Sequence, residues 1–117
     1  HRSEGFGLTM AEAMLLGKPT VATGYSGNLD FMTPDNSYLV EYTRAVIEDD
    51  APPYPKGCVW AEPSVEHAAA LLRRLYDHPT EARAKAERGR ADLLTLLAPE
   101  AAGARMKARL DAIRGAA

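Results

Sequence analysis

Hydrophobic positions fall into short β-branched runs in the first half of the chain and into helical stripes in the second. The segment Glu4-Gly5-Phe6-Gly7-Leu8-Thr9 predicts a loop leading into a helix over residues 8–16. Thr9 with Glu12 fits a Thr-x-x-Glu capping box. Gly17 suits the left-handed residue that ends a helix, with Pro19 just beyond it. Thr20-Val21-Ala22-Thr23 predicts a buried strand. Gly24 to Asn28 reads as a loop, and Leu29 to Met32 as one helical turn. Thr33-Pro34-Asp35-Asn36 carries turn residues. Ser37 to Val40 and Arg44 to Ile47 predict two further strands. Residues 49–57 hold Pro52, Pro53 and Pro55, which fix the backbone and remove donors, so an exposed irregular insertion is expected.

From Pro63 onward the period turns helical. Ser64 is the expected N-cap of a helix whose stripe is Val65, Ala68, Leu72, Leu75 and Tyr76. His78-Pro79 ends it, and Thr80 is expected to cap the next helix, whose apolar end is Leu93, Leu94, Leu96 and Leu97. Pro99 opens a third helix with the stripe Met106, Leu110 and Ile113. Helix, strand, loop, strand and then helices predict an α/β layered domain with parallel strands. Two to four strands are visible, fewer than the five or six of a complete doubly wound sheet. The expected organisation is one domain with a motif-bearing α/β part over residues 1–62 and C-terminal helices over 63–117. The opening His1-Arg2-Ser3-Glu4-Gly5 has neither an initiating Met nor an apolar leader, so the chain reads as part of a longer one.

Composition narrows the classes. The 117 residues are 46% hydrophobic and 26% charged, as in a globular domain. The longest wholly apolar run, Ala68 to Leu72, is far short of the ~18 residues that span a bilayer. The single Cys58 cannot form an internal disulfide, which fits a reducing compartment. The net charge is −2. Residues 1–62 carry nine acidic and four basic side chains, whereas residues 81–117 carry five and eight. That modest basic tail reads as a solvated helix face rather than a nucleic-acid footprint.

The candidate chemistry sits at the first helix. A helix amino end has free N–H groups and partial positive charge, and Gly5 and Gly7 leave its approach unobstructed, so a phosphate or diphosphate fits there. On its own, Gly-x-Gly before a helix more often marks a tight turn. Glu4 and Glu12 flank the segment, with seven residues between them. Carboxylates accept hydrogen bonds, which suits sugar hydroxyls rather than the phosphate. Glu12 has the capping box as its structural alternative, and Glu4 a solvated loop position. Asn28 suits either a polar contact beyond a strand end or a turn. Trp60 is expected to pack beneath the late helices rather than stack on a base. His1 and Arg2 are expected to fray, and His67 and His78 to be solvated. Nothing near Cys58 suggests an activated nucleophile.

Glu4-Gly5-Phe6-Gly7-Leu8-Thr9-Met10-Ala11-Glu12-Ala13-Met14, followed by Gly17-Lys18-Pro19-Thr20-Val21-Ala22-Thr23, resembles the signature of retaining family-4 (group 1) glycosyltransferases of the GT-B fold. Gly24 to Met32 resembles that family's next loop, and Trp60-Ala61-Glu62-Pro63 a segment before its late helices. The resemblance covers residues 1 to about 80 well and the remainder loosely. It implies part of a Rossmann-like GT-B C-terminal domain that binds a nucleoside-diphosphate sugar. The residue matching Glu4 would contact the donor sugar as the catalytic-centre carboxylate. The backbone of Gly5, Phe6, Gly7, Leu8 and Thr9 would hold the diphosphate, and Glu12 the ribose hydroxyls. The anomeric configuration would be retained. No metal or other cofactor is implied, since protein donors neutralise the leaving diphosphate. The family's basic Arg/Lys pair and its acceptor-holding domain lie upstream of this motif, and Lys18 falls at the wrong end of the helix to replace them. The fragment alone is therefore expected to be inactive, with the remaining N-terminal part of the enzyme as its partner. Self-association through an open sheet edge is a further expectation, as is a cytoplasmic location with peripheral membrane contact of the intact enzyme. The competing reading is a non-catalytic nucleotide- or phosphate-binding or structural α/β module. A GT-B relative with other chemistry, such as an epimerase or phosphorylase, is a third.

Overall fold

The computed structural model describes residues 1–115, in the order α1 (Leu8–Leu15), β1 (Val21–Thr23), a 3-10 turn (Gly27–Asp30), β2 (Tyr38–Val40), β3 (Tyr42–Val46), β4 (Val59–Pro63), α2 (Val65–Asp77), α3 (Pro79–Leu96) and α4 (Pro99–Gly115). The fold is mixed α/β. β1 and β2 are parallel, with Val21 opposite Tyr38 and Thr23 opposite Val40. β3 and β4 form a separate antiparallel pair, with Tyr42 opposite Pro63 and Val46 opposite Val59. The chain changes sheets at Glu41. Its N–H donates to His67 Nδ1 at 3.0 Å, and its carbonyl accepts from Ser64 N–H at 2.8 Å.

The C-terminus of α1 follows its sequence signal. Gly17 adopts a φ of 67°, its N–H reaches Met14 O, and Lys18 N–H reaches Ala13 O, the paired bonds of a Schellman ending. Its start differs. Gly7, at φ 91°, is the N-cap, and no side chain caps the helix. Leu8 is the first helical residue, so Thr9 lies inside the first turn and the Thr9–Glu12 box does not form. The glycine's left-handed backbone starts the helix two residues earlier than the threonine would. Thr80 is displaced in the same way: His78 is the N-cap of α3, and Pro79, with its preset φ, takes the first helical position. Ser64 does cap α2, accepting from His67 N–H at 3.0 Å.

The core lies between α1, β1, the 3-10 turn and α3, and is made of Ala11, Met14, Ala22, Phe31, Met32 and Leu93. Helix α3 lays the small residues Ala82, Ala86 and Gly89, then Leu93, against it. A Cβ on Gly89 would stand 2.8 Å from both Asn36 O and Met14 Cε, so the glycine sets the approach distance. Asn36 locks the Thr33–Asn36 turn to this helix. Its Oδ1 accepts from Thr33 N–H at 2.8 Å, and its Nδ2 donates to Phe31 O at 3.0 Å and to Asp92 Oδ2 at 2.9 Å.

Several expectations are corrected. The short helical turn is a 3-10 turn placed two residues earlier, and the third strand starts at Tyr42 rather than Arg44. Residues 59–63, which carry no strand pattern of their own, form a strand. The predicted stripe of α2 divides: Ala68 and Leu75 are half-buried, whereas Val65, Leu72 and Tyr76 are 74%, 59% and 79% exposed. The stripe of α4 is also open, with Met106, Leu110 and Ile113 all exposed. Four leucines were expected at the apolar end of α3, but only Leu93 is fully buried. The 49–57 insertion forms the tip of the β3–β4 hairpin, closed by an Ala51–Tyr54 bridge. No helix among the described residues is long and apolar enough to cross a membrane.

Candidate functional site

The sequence brings a loop, a helix amino end and a second loop to one place. Gly7 is buried; a Cβ there would meet Asn28 Cβ at 3.1 Å and Phe31 Cζ at 3.4 Å. The bend it makes turns the amino end of α1 toward the surface, with Leu8 and Thr9 exposed. The first helical bond runs from Ala11 N–H to Gly7 O at 2.9 Å. The N–H groups of Leu8, Thr9 and Met10 precede it, and no side chain caps them, which is the electronic condition for anion binding.

The two acidic residues differ. Glu12 is exposed one turn into α1 on the sector shared with Leu8 and Thr9. Its side chain accepts no hydrogen bond among the described residues, and with the capping box unformed it has no structural task. Glu4 is half-buried, and its Oε1 accepts from Gly5 N–H at 3.0 Å, so the carboxylate folds back onto its own loop. Gly5 is exposed and nothing lies within 4 Å of where its Cβ would stand. Phe6 is half out of the surface, its ring 5.1 Å from that of Phe31. It also walls a cavity of about 220 Å³ with Asp30, Leu97 and Arg105.

The second loop was only partly anticipated. Asn28 is fully buried and serves the turn: its Nδ2 donates to Thr23 O at 3.0 Å and approaches Met32 Sδ at 3.5 Å. Its Oδ1 is buried without a partner among the described residues. Ser26 carries no motif signal, yet it adopts φ 80° and ψ −154° and its hydroxyl donates to Glu4 O at 2.7 Å. Gly27 N–H donates to the same oxygen at 2.9 Å.

His1 and Arg2 do not fray. The His1 amino group donates to Thr23 Oγ1 at 3.2 Å, and that hydroxyl donates to His1 O at 2.7 Å. Arg2 O accepts from Ala61 N–H at 2.9 Å. The Arg2 guanidinium grips Glu62 through Nε at 2.9 Å and Nη2 at 3.1 Å, and lies 4.7 Å from the Trp60 ring centroid. Trp60 therefore packs between Arg2 and Tyr54, whose ring is 6.1 Å away, and not beneath the late helices. The pairing of β4 with β3 puts Trp60 and Glu62 on one face of the hairpin, where both meet Arg2. His78 is exposed and His67 half-buried, the latter engaged with Glu41 rather than free in solvent. Cys58 is exposed. Among the described residues no three His, Cys, Asp or Glu side chains gather as metal ligands would. No protein-family profile matches the chain, and no curated protein matches it.

Proposed function

We propose that the chain is the donor-binding part of a retaining glycosyltransferase of the GT-B type, taking a nucleoside-diphosphate sugar. The observation that carries the reading is the uncapped amino end of α1, bent outward at Gly7 and flanked by Glu4 on one side and an unengaged Glu12 on the other. In that arrangement the N–H groups of the Gly5–Thr9 segment take the diphosphate, and the dipole of α1 favours its charge. Glu12 accepts from the vicinal ribose hydroxyls. Glu4 Oε1 keeps the bond from Gly5 N–H, leaving the later N–H groups of the segment to the diphosphate, and its second carboxylate oxygen turns to the sugar hydroxyls. The parallel β1–β2 pair supports the same placement, since the Gly24–Asp30 loop leaves the carboxyl end of β1 and reaches Glu4 O through Ser26 and Gly27. The basic pair and the acceptor-holding domain implied by the resemblance come from an N-terminal part of the same enzyme. The isolated chain then transfers no sugar, and the enzyme works in the cytoplasm, peripheral to the membrane where its acceptor requires it.

The test is calorimetric titration of the chain with UDP, GDP and their glucose and mannose conjugates. One conjugate is expected to bind more tightly than its parent diphosphate. Glu4→Ala should remove that preference, and Glu12→Ala should weaken nucleotide and conjugate alike, each about tenfold for one lost charge-assisted hydrogen bond. Wild-type affinities in both variants defeat the proposal. A second reading, a nucleotide-only module, is favoured by the inward fold of Glu4 onto Gly5 N–H. It predicts equal affinity for diphosphate and conjugate.

A further inference from the structure

We infer that Ser26 is a positioning residue for Glu4, acting through the peptide group between Glu4 and Gly5; as a statement about the donor site this rests on the nucleotide-sugar reading. Ser26 stands at φ 80° and ψ −154°, a region that glycine alone enters without strain. It is the single non-glycine residue with positive φ among the described residues. Strain of this kind persists where the surroundings hold it, and here they do. The Ser26 hydroxyl and the Gly27 N–H both donate to Glu4 O, at 2.7 and 2.9 Å. The contact is close: a Cβ on Gly27 would lie 2.0 Å from Gly5 O and 3.0 Å from Glu4 O.

The peptide unit is planar, so fixing its oxygen fixes the direction of the N–H on its far side. That N–H belongs to Gly5, and it is the donor that Glu4 Oε1 accepts from at 3.0 Å. Two donors on the carbonyl therefore aim the one group that holds the carboxylate. A glycine at position 26 would trace the same turn free of strain, but would bring one donor instead of two. The serine hydroxyl keeps the Glu4–Gly5 peptide from rotating, and so keeps the carboxylate beside the helix mouth.

Ser26→Gly and Ser26→Ala separate strain from the hydroxyl. The chain and both variants are followed by thermal melting, by amide exchange at Gly5, and by titration with UDP, GDP and their sugar conjugates. Ser26→Gly is expected to melt no lower than the parent, and Ser26→Ala to melt lower by several degrees. In both, Gly5 amide exchange should rise severalfold, and the preference for conjugate over diphosphate should fall about tenfold. A merely structural serine would tie the loss of sugar preference to the loss of stability, and Ser26→Gly would keep both. Unchanged Gly5 exchange in Ser26→Gly, or a retained sugar preference, overturns the inference. A parent chain that binds no conjugate, with Gly5 loosened in the variants, overturns the donor reading and leaves the coupling of Ser26 to Glu4 standing.

Discussion

Gly89 and Gly103 both lie inside long helices, and their surroundings give opposite signs to the same substitution. Alanine is the better helix former by about 0.5–1 kcal/mol. At Gly103 a Cβ meets nothing within 4 Å, so Gly103→Ala should raise the melting midpoint by a few degrees. At Gly89 the added Cβ would press on Asn36 O and Met14 Cε at 2.8 Å. The carbonyl belongs to a turn held at three points by the Asn36 side chain, so it has little room to yield. Gly89→Ala should therefore lose about 1–3 kcal/mol from forced displacement, read as a lower midpoint in thermal or urea unfolding. Residue identity alone does not separate these two glycines. The neighbour that decides Gly89, the Asn36 carbonyl, is 53 positions away in the chain. Ser26 was illegible for a related reason. A glycine before a turn announces positive φ, whereas a serine announces nothing, and only the two bonds to Glu4 O reveal why the conformation persists. The spacing of Glu4, Gly5, Gly7 and Glu12 did place them around a helix start, with Gly7 at the N-cap of α1.

Element ends that depend on backbone chemistry within the element were readable, as Gly17 and Ser64 show. Those decided by a competing residue were not: Gly7 displaced Thr9, and Pro79 displaced Thr80. β4 was missed because Val59 to Pro63 is short and ends in proline, and becomes a strand only by pairing with Tyr42 to Val46. The buried face of α3 was missed because Ala82, Ala86 and Gly89 carry little hydrophobic signal, although they are what lets the helix sit close. Charge reinforces that packing at one junction of β2, α2 and α3. The Glu81 carboxylate receives Arg74 at 3.0 and 3.3 Å and the Tyr38 hydroxyl at 3.3 Å. Desolvation pushes the Glu81 pKa up, but the Arg74 hydrogen bond and charge outweigh it, and the net direction is down from 4.5. A depressed carboxyl pKa contributes stability that is present above the unfolded value and is lost as pH falls through the folded one. Tyr38 moves oppositely: burial and the facing Glu81 raise its pKa above 10.0, so its contribution is present below that value and fades as pH rises through the folded one. Acidifying from about pH 6 to about pH 3 should lower the melting midpoint, and Glu81→Gln should lower it at pH 6 while shrinking the acid-induced drop. Equal acid sensitivity in the variant would remove this junction as its source.

The molecule as a whole is flatter and more open than its length requires. Its radius of gyration is 17.3 Å and its extents are 53 × 43 × 18 Å, against about 13 Å for a compact chain of this length. Its accessible surface is 7908 Å², where a folded monomer of this mass exposes about 6,200 Å². The excess, roughly 1,700 Å², is about twice what one partner buries in a standard protein interface. It is apolar where it matters. On α2, Val65, Leu72 and Tyr76 recur at helical spacing and face outward while Ala68, Leu71 and Leu75 turn toward the rest of the fold. A single exposed leucine would be unremarked, but a stripe along a 13-residue helix is a surface that water covers at a cost. In an intact glycosyltransferase the remaining N-terminal part is the proposed cover. For the chain by itself in solution, a second copy is the apolar surface within reach. Sedimentation should then show a concentration-dependent mass, and Leu72→Glu with Tyr76→Glu should return the chain to a monomer. Neither side chain is buried, so the pair of substitutions should leave the unfolding free energy of a dilute sample within about 1 kcal/mol of its parent. A parent chain that sediments as a monomer at every concentration would deny this face its role. Association that survives both substitutions would move the contact to the unpaired edges of the β1–β2 sheet, where backbone N–H and carbonyl groups template a further strand whatever the helices carry.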